Sequence, residues 1–303
     1  MDRRTGFLLL LAILLLLFLC SHSHGRSHSR FVIILAANQG GGVMTWKGAK
    51  EWALERESIK NKRDYVKRHG YELAVRDMSV KKRYAHEWRE SWEKVDTIKS
   101  TMRQHPHAEW FWWLDLHTII MEPQVSLEDH IFSRLDNVTY QDISIYNPLN
   151  MTIDGDAPVP QAAHLLASQD CGGFNLGSFF VRRGEWTDRL LDFWWDPVFY
   201  EQKHMEWEHK EQDALEYLYS TQSWIRASMY FMPQRMINSF PPGACAEQEG
   251  DTRIFYNESD RDFIVNMAGC EWGRDCYGEM KGYEALSQNL NRPWWKRLLH
   301  RRA

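Results

Sequence analysis

The sequence has little cysteine, little excess charge and only one long apolar run, and each shortage excludes something. Of five Cys, Cys20 lies inside the apolar run, which leaves four for the rest of the chain. No CxxC pair and no Cys/His cluster has zinc spacing. Four thiols admit three pairings. A domain of this size has apolar material enough to fold without them, so any disulfide is an accessory. A formal net charge of −4 over 303 residues gives nucleic acid no electrostatic footprint. No GxGxxG follows the first β-branched run and no GxxxxGK[ST] occurs anywhere, so the common dinucleotide and P-loop fingerprints are absent.

The long apolar run is "FLLLLAILLLLFLC", residues 7–20. It is short for a spanning helix and suits a signal-peptide core, and Arg3 and Arg4 before it would stay on the cytoplasmic side. No clear small-x-small cleavage site follows in "FLCSHSHGRSHSR", so a short uncleaved anchor fits as well as a cleaved signal. Residues 21–30, rich in Ser, His, Gly and Arg, read as a flexible stem. The expected organisation is a cytoplasmic tail over 1–6, a signal-anchor over 7–20, the stem, and one lumenal domain over 31–303. Glycosylation sequons at Asn137, Asn150 and Asn257 agree with that compartment, and Asn137 is expected to carry a glycan. Cys270 and Cys276 bracket a short closable loop in an oxidising lumen, with Cys171 and Cys245 as the other disulfide candidates.

What is plentiful is Trp, fifteen in all. Large aromatics dominate core burial, so most are expected inside, although sugar-handling proteins also stack pyranose rings on them. The body alternates strands and helices. "RFVIILAAN", 30–38, is a β-branched run that ends in "NQGGG". Trp52, Ile59 and Val66 then recur seven apart, the narrow stripe of an amphipathic helix. "GYELAVRDM" reads as a second strand, about 90–104 as a second helix, and "EWFWWLDL" as a third strand. This is the βαβ rhythm of an α/β fold, a mostly parallel Rossmann-like sheet flanked by helices.

In such sheets ligands bind beyond the carboxyl ends of the strands. Within "WFWWLDLHTIIM", Asp115 and His117 are two apart, so a strand would point them together with Leu116 turned back. Two ligand-capable side chains there suit a divalent cation; the alternative is a turn-capping Asp and a satisfied surface His. Further on, "FNLGSFFVRR" reads as a strand entered through small residues. A helix follows with Trp186, Leu190, Phe193 and Trp194 on one face. "HMEWEHKEQDALEYLY" reads as another helix with Trp207, Ala214, Leu215 and Leu218 inward. Glu211 falls on that stripe, and an acid on a buried face is expensive unless it is paired or used. A structural ion pair or a frayed helix start is the alternative reading.

Four segments together resemble one family: "ESIKNKRDYVKRHGYEL", "WFWWLDLHTIIM", "FNLGSFFVRRGEWTDRLLDFW" with "EQDALEYL", and "DFIVNMAGC". In order and spacing they are similar to glycosyltransferase family 34, the fungal α-mannosyl- and α-galactosyltransferases and plant xyloglucan xylosyltransferases, over about residues 30–285. The resemblance implies a GT-A nucleotide-sugar transferase fold, a single-pass type II place in the Golgi membrane, a sugar-nucleotide donor with Mn²⁺, and retention of anomeric configuration. "VNMAGCEWGRDC" and "LDLHTIIMEP" are most similar to the fungal α-1,6-mannosyltransferase subunits that extend N-glycan mannan. That branch implies GDP-mannose as donor, mannan as acceptor and other mannosyltransferase subunits as partners, with no nucleic acid.

Carried over by position, the family's Asp-x-Asp motif falls on Asp115, Leu116 and His117. The second Asp is here His, which still ligates Mn²⁺ as a borderline nitrogen donor. The xylosyl branch's further His falls on Asn266, so the implied metal set is Asp115, His117 and Asn266. Ala37 and Asn38 end the first strand and are implied to meet the nucleotide, as are Asn61 and Tyr65 from the donor-side helix. Asn175 matches the position that holds the donor sugar, and Glu211 with Gln212 an acidic-Gln pair beside the anomeric carbon. Arg274 lies where the family places a phosphate-neutralising base. Three other readings stay open: UDP-galactose as donor, a non-catalytic sugar-binding or scaffold subunit using the same groove, and a secreted lectin-like module.

Overall fold

The computed structural model describes residues 29–37, 48–76, 92–156, 158–203 and 205–293. Its centre is a six-stranded sheet of order β2-β1-β3-β6-β5-β7. The strands are β1 (Phe31–Ala36), β2 (Glu72–Arg76), β3 (Trp110–Leu114), β5 (Leu165–Asp170), β6 (Gly173–Arg182) and β7 (Met229–Phe231). Pairs β1–β2, β1–β3 and β5–β7 are parallel, whereas β6 runs antiparallel to both β3 and β5. The parallel start is the one the βαβ rhythm predicts. The antiparallel insertion arises because β5 and β6 are joined by two residues only, which permits a hairpin and no crossover. A second sheet pairs β4 (Thr118–Ile120) with β8 (Ile264–Asn266), antiparallel.

All five residues of β3 are buried, as a strand covered on both faces requires. Adjacent side chains then serve opposite cores. Trp112 stacks on Phe180 (centroids 5.0 Å apart) and on Phe263 on one face. Trp113 meets Phe179 on the other face, in the core that also holds Trp92 and Trp194. The helices that cover the sheet include α1 (Ala49–His69), α2 (Glu93–Gln104), α3 (Glu185–Trp194), α4 (Glu211–Thr221), the short α5 (Gln234–Ile237) and α6 (Cys276–Leu290). Helix α1 ends on Gly70 at φ 71°, a left-handed C-terminal turn that only glycine enters without strain.

Four expectations change. Strand β3 stops at Leu114, and residues 115–117 form a turn into β4, so Asp115 and His117 are brought together by a turn and not by strand alternation. The helix expected over 204–219 begins only at Glu211, after Lys210 at φ 58°, a backbone state that ends any helix approaching from before it; Trp207 precedes the helix. Phe193 is 45% exposed, and the inward stripe of α3 is Thr187, Leu190, Leu191 and Trp194, at helical i, i+3, i+4, i+7 spacing.

The last change concerns the membrane. The expected single-pass type II place in the Golgi membrane is overturned by the finding that, among the described residues, no helix is long and apolar enough to cross a membrane. The tail, signal-anchor and most of the stem assigned to 1–28 lie outside the described residues.

Candidate functional site

The turn after β3 is held on every side. Asp115 N donates to Gly177 O at 2.8 Å, Thr118 Oγ1 donates to Asp115 O at 2.7 Å, and Trp113 Nε1 donates to Asp115 Oδ1 at 2.6 Å. Leu116 turns back onto Leu35, Ala37 and Ile59, while its carbonyl accepts from Ser58 Oγ. Met267 N donates to His117 O, which ties the turn to the segment after β8. Asp115 and His117 thereby face one cleft of about 300 Å³ at the strand ends, with Asn175, Gly177, Gln212 and Asn266 in its walls.

Gly177 shows how tightly the cleft floor is drawn. A Cβ on it would lie 2.3 Å from Asn266 Nδ2, 3.1 Å from Asn175 Oδ1 and 3.2 Å from Asp115 Oδ2. Glycine is therefore needed for close approach, not for its backbone angle. On the opposite side of the turn, His117 Nδ1 is 3.6 Å from Glu271 Oε2. Cys270 and Cys276 lie beside that pair, but their sulfurs are joined in a disulfide and offer no thiolate.

Glu211 is buried and does not line the cleft. Its Oε1 is 2.9 Å from Lys94 Nζ, which also lies 3.8 Å from Asp115 Oδ1 and donates to Leu176 O at 2.8 Å. Burial by itself would push the Lys94 ammonium down, but Asp115 and Glu211 together hold it above the ordinary lysine range. Lys94 thus stands charged behind the cleft. Gln212 does line the cleft; its Oε1 accepts from Leu176 N at 2.8 Å, so its amide N–H groups are what it presents to a ligand.

The other expected positions divide. Ala37 is buried, with its N–H on Arg76 O, and Asn38 lies outside the described residues. Asn61 and Tyr65 are not brought to the cleft. Asn61 clasps both backbone groups of Ile120, and the fully buried Tyr65 donates to Val125 O; both tie α1 to the segment from β4 onward. Arg274 forks onto Glu279 at 2.8 Å through Nε and Nη2 and donates to Ala268 O, so it braces the cleft wall. Asn137 and Asn150 are exposed, whereas Asn257 caps a turn through Ser259 N. Cys171–Cys245 and Cys270–Cys276 are both disulfide-bonded.

Several participants carried no sequence signal. Asp170, at the end of β5, lines the cleft and accepts from Asn175 Nδ2 and Gly172 N; burial raises its pKa against those donors. His209, also in the cleft, is held by Asp213 with a pKa raised to about 9, despite its partial burial, so it is cationic at neutral pH. The wholly buried Asn238 lies behind the floor between Asn175 and Asn266. Lys62 is buried beneath the turn, donating to Ser58 Oγ and Thr118 O, and burial lowers its pKa well below the lysine range.

Comparison with known proteins bears on the family and the fold. The profile of the galactosyl transferase GMA12/MNN10 family matches residues 27–277. The chain is 57% identical over 269 residues to a Saccharomyces cerevisiae protein described as a probable α-1,6-mannosyltransferase, covering 88% of this chain and 68% of the relative. It is 50% identical over 271 residues to a Schizosaccharomyces pombe protein described as an uncharacterized α-1,2-galactosyltransferase, covering 88% of this chain and 78% of that one. In three dimensions it is similar, at a TM-score of 0.54 and 14% identity, to a crystal structure of a glycosyltransferase involved in glycosylation of the major capsid of PBCV-1. That likeness spans 84% of this chain and all of the other, and the shared fold is GT-A.

Proposed function

Because the chain belongs to the galactosyl transferase GMA12/MNN10 family and is a glycosyltransferase, we propose that it moves mannose from GDP-mannose onto a mannan-type N-glycan, in α-1,6 linkage and with retention. The sugar and linkage rest on the likeness to the probable α-1,6-mannosyltransferase. The observation that carries the site is the convergence of Asp115, Asn175 and Asn266 on the bare face of Gly177, at the strand ends where α/β folds receive ligands.

A carboxylate, an amide and an imidazole in one cleft form a donor set that suits a divalent cation such as Mn²⁺. Asp115, His117 and Asn266 would hold it, and when bound it would neutralise charge on the departing nucleotide diphosphate. Lys94 keeps Asp115 in place from behind, and Glu211 acts through Lys94 as its buried counter-charge. His209 adds a cation to a cleft that receives a diphosphate, and Gln212 and Asp170 offer a donor and an acceptor to sugar hydroxyls. The acceptor hydroxyl attacks on the face that the nucleotide leaves and gives its proton to the leaving phosphate oxygen. The chain's own groups then orient the reactants and stabilise charge, and none needs to become covalently bound.

The test is turnover of GDP-mannose and UDP-galactose by the purified protein, with and without Mn²⁺. Metal-dependent turnover of GDP-mannose is expected. Asp115→Asn, nearly isosteric, should keep the fold, since Glu211 still faces Lys94, yet lower transfer by about 10²- to 10³-fold, as loss of one charge-stabilising group does. His117→Asp should tighten Mn²⁺ binding by adding a negative ligand. Turnover of UDP-galactose alone would overturn the donor, and full activity in Asp115→Asn would overturn the metal role. Turnover of neither donor would leave the groove a sugar-binding scaffold.

A further inference from the structure

The cleft does not end at Gly172 and His209. Both residues also line a second, open groove of about 530 Å³, so the two spaces adjoin there. The rest of the groove's lining comes from the segment before α4, from α4 itself, and from Leu149 and Met151. Leu149 is packed against the β5–β6 turn: a Cβ on Gly173 would lie 2.6 Å from Leu149 Cδ1. Three separate parts of the chain thus build the groove.

Its aromatic lining is Trp207 and Tyr217. Trp207 is half-buried and Tyr217 is 44% exposed. Phe199 meets both rings, at centroid distances of 5.0 Å and 5.3 Å, and Trp92 from the core stacks on Trp207 at 6.0 Å. Rings that other rings hold in place, and that still reach solvent, are contact surfaces ordered before any ligand arrives. The charged lining is mostly acidic. Glu206, Glu208 and Asp213 stand against one cationic imidazole, His209, among the described lining residues.

Such a lining selects by charge and by shape. Carboxylates repel a nucleotide diphosphate, so the donor belongs to the cleft and not to the groove. A pyranose ring has a C–H face, which packs on an aromatic ring, and a rim of hydroxyls, which donate to carboxylates. We propose that the groove is the subsite for the body of the acceptor: a neutral hexose chain of the mannan type lies along Trp207 and Tyr217, while its reacting hydroxyl reaches past Gly172 and His209 into the cleft. The proposal rests on the reading of the cleft as the site of transfer.

The experiment compares a short acceptor, methyl α-mannoside, with a long one, α-1,6-linked mannotetraose, using GDP-mannose as donor. Calorimetry measures the binding of mannotetraose alone, and circular dichroism checks the fold of each variant. Tyr217→Ala should raise KM for mannotetraose and weaken its binding by about 2- to 10-fold, the scale of one aromatic contact. The kcat and the KM for methyl α-mannoside should stay as in the wild type. Tyr217→Phe keeps the ring and should keep the affinity, and Trp207→Ala should act in the same direction as Tyr217→Ala. An equal rise in KM for both acceptors, or no change for mannotetraose in either alanine variant, would overturn the inference and leave the transfer reading standing. So would a wild type that transfers to methyl α-mannoside but neither binds nor uses mannotetraose. Weaker mannotetraose binding in Tyr217→Ala, in a protein that turns over no donor, would keep the groove as a hexose-chain site and overturn the transfer reading.

Discussion

At the scale of single residues, the buried Lys94 connects what the cleft shows with what it conceals. Its ammonium meets Glu211 and Asp115 and lies over the ring of Trp113, 5.2 Å from the centroid. An acid on the inner face of a helix invites a catalytic reading, and here the carboxylate faces a lysine inside the protein. Removing one partner of a buried pair strands the other charge, at a cost of roughly 3–5 kcal/mol. Lys94→Met should lower unfolding free energy by that amount in a denaturant titration. Adding Glu211→Gln should recover a good part of it, because the buried carboxylate is then neutral and Asp115, the other partner, is half exposed. A neutral Lys94→Met would show that Glu211 finds its compensation elsewhere.

At the scale of elements, helix α4 delivers groups to two places. Gln212 reaches the cleft, while Glu216, one turn on, accepts from Phe174 N at the start of β6. Burial raises the Glu216 carboxyl from its ordinary 4.5 to about 7, with Asp213 and Asp170 adding to the effect and Phe174 N and His209 opposing it. A group whose pKa is raised by folding contributes stability that is complete below its unfolded pKa and is lost as pH rises through the folded one. The window is therefore about pH 4.5 to 7, and a shift of this size corresponds to about 3 kcal/mol. Glu216→Gln keeps an oxygen for Phe174 N and has no proton to lose. Unfolding midpoints at pH 5 and pH 8 should fall for the wild type and stay closer together for the variant. Parallel declines in the two proteins would place the pH sensitivity in another group.

At the scale of the whole molecule, the cleft is closed by parts distant in sequence and joined covalently. Cys171–Cys245 spans 74 residues and fixes the β5–β6 turn to the wall contributed by residues 240–245, whereas Cys270–Cys276 spans only 6. Constraint of the unfolded chain grows with the logarithm of loop length, so the long bridge should contribute about 2 kcal/mol more than the short one. Thermal unfolding of Cys171→Ser/Cys245→Ser and of Cys270→Ser/Cys276→Ser tests this. A larger loss from the short bridge would mean that local packing around Cys270, and not chain entropy, sets the order.

The sequence by itself determined the elements and the family. Continuous apolar runs made β1 and β3 legible, the seven-residue spacing in 49–69 made its helix legible, and the segments around Asp115, Asn175 and Gln212 carried a family pattern. These are local properties, written in neighbouring residues. Tertiary structure alone decided which of them meet. Asp115 and His117 converge through a turn because β3 ends two residues earlier than the strand read over 109–116. Asn61 and Tyr65 match a donor-side helix, yet fold inward because the backbone of β4 and the segment after it needed partners there. Asn238, Lys94 and Asp170 carry no pattern at all. A buried polar side chain takes its meaning from the atoms that satisfy it, and for these three the atoms come from segments 21 to 117 residues away or from across a hairpin.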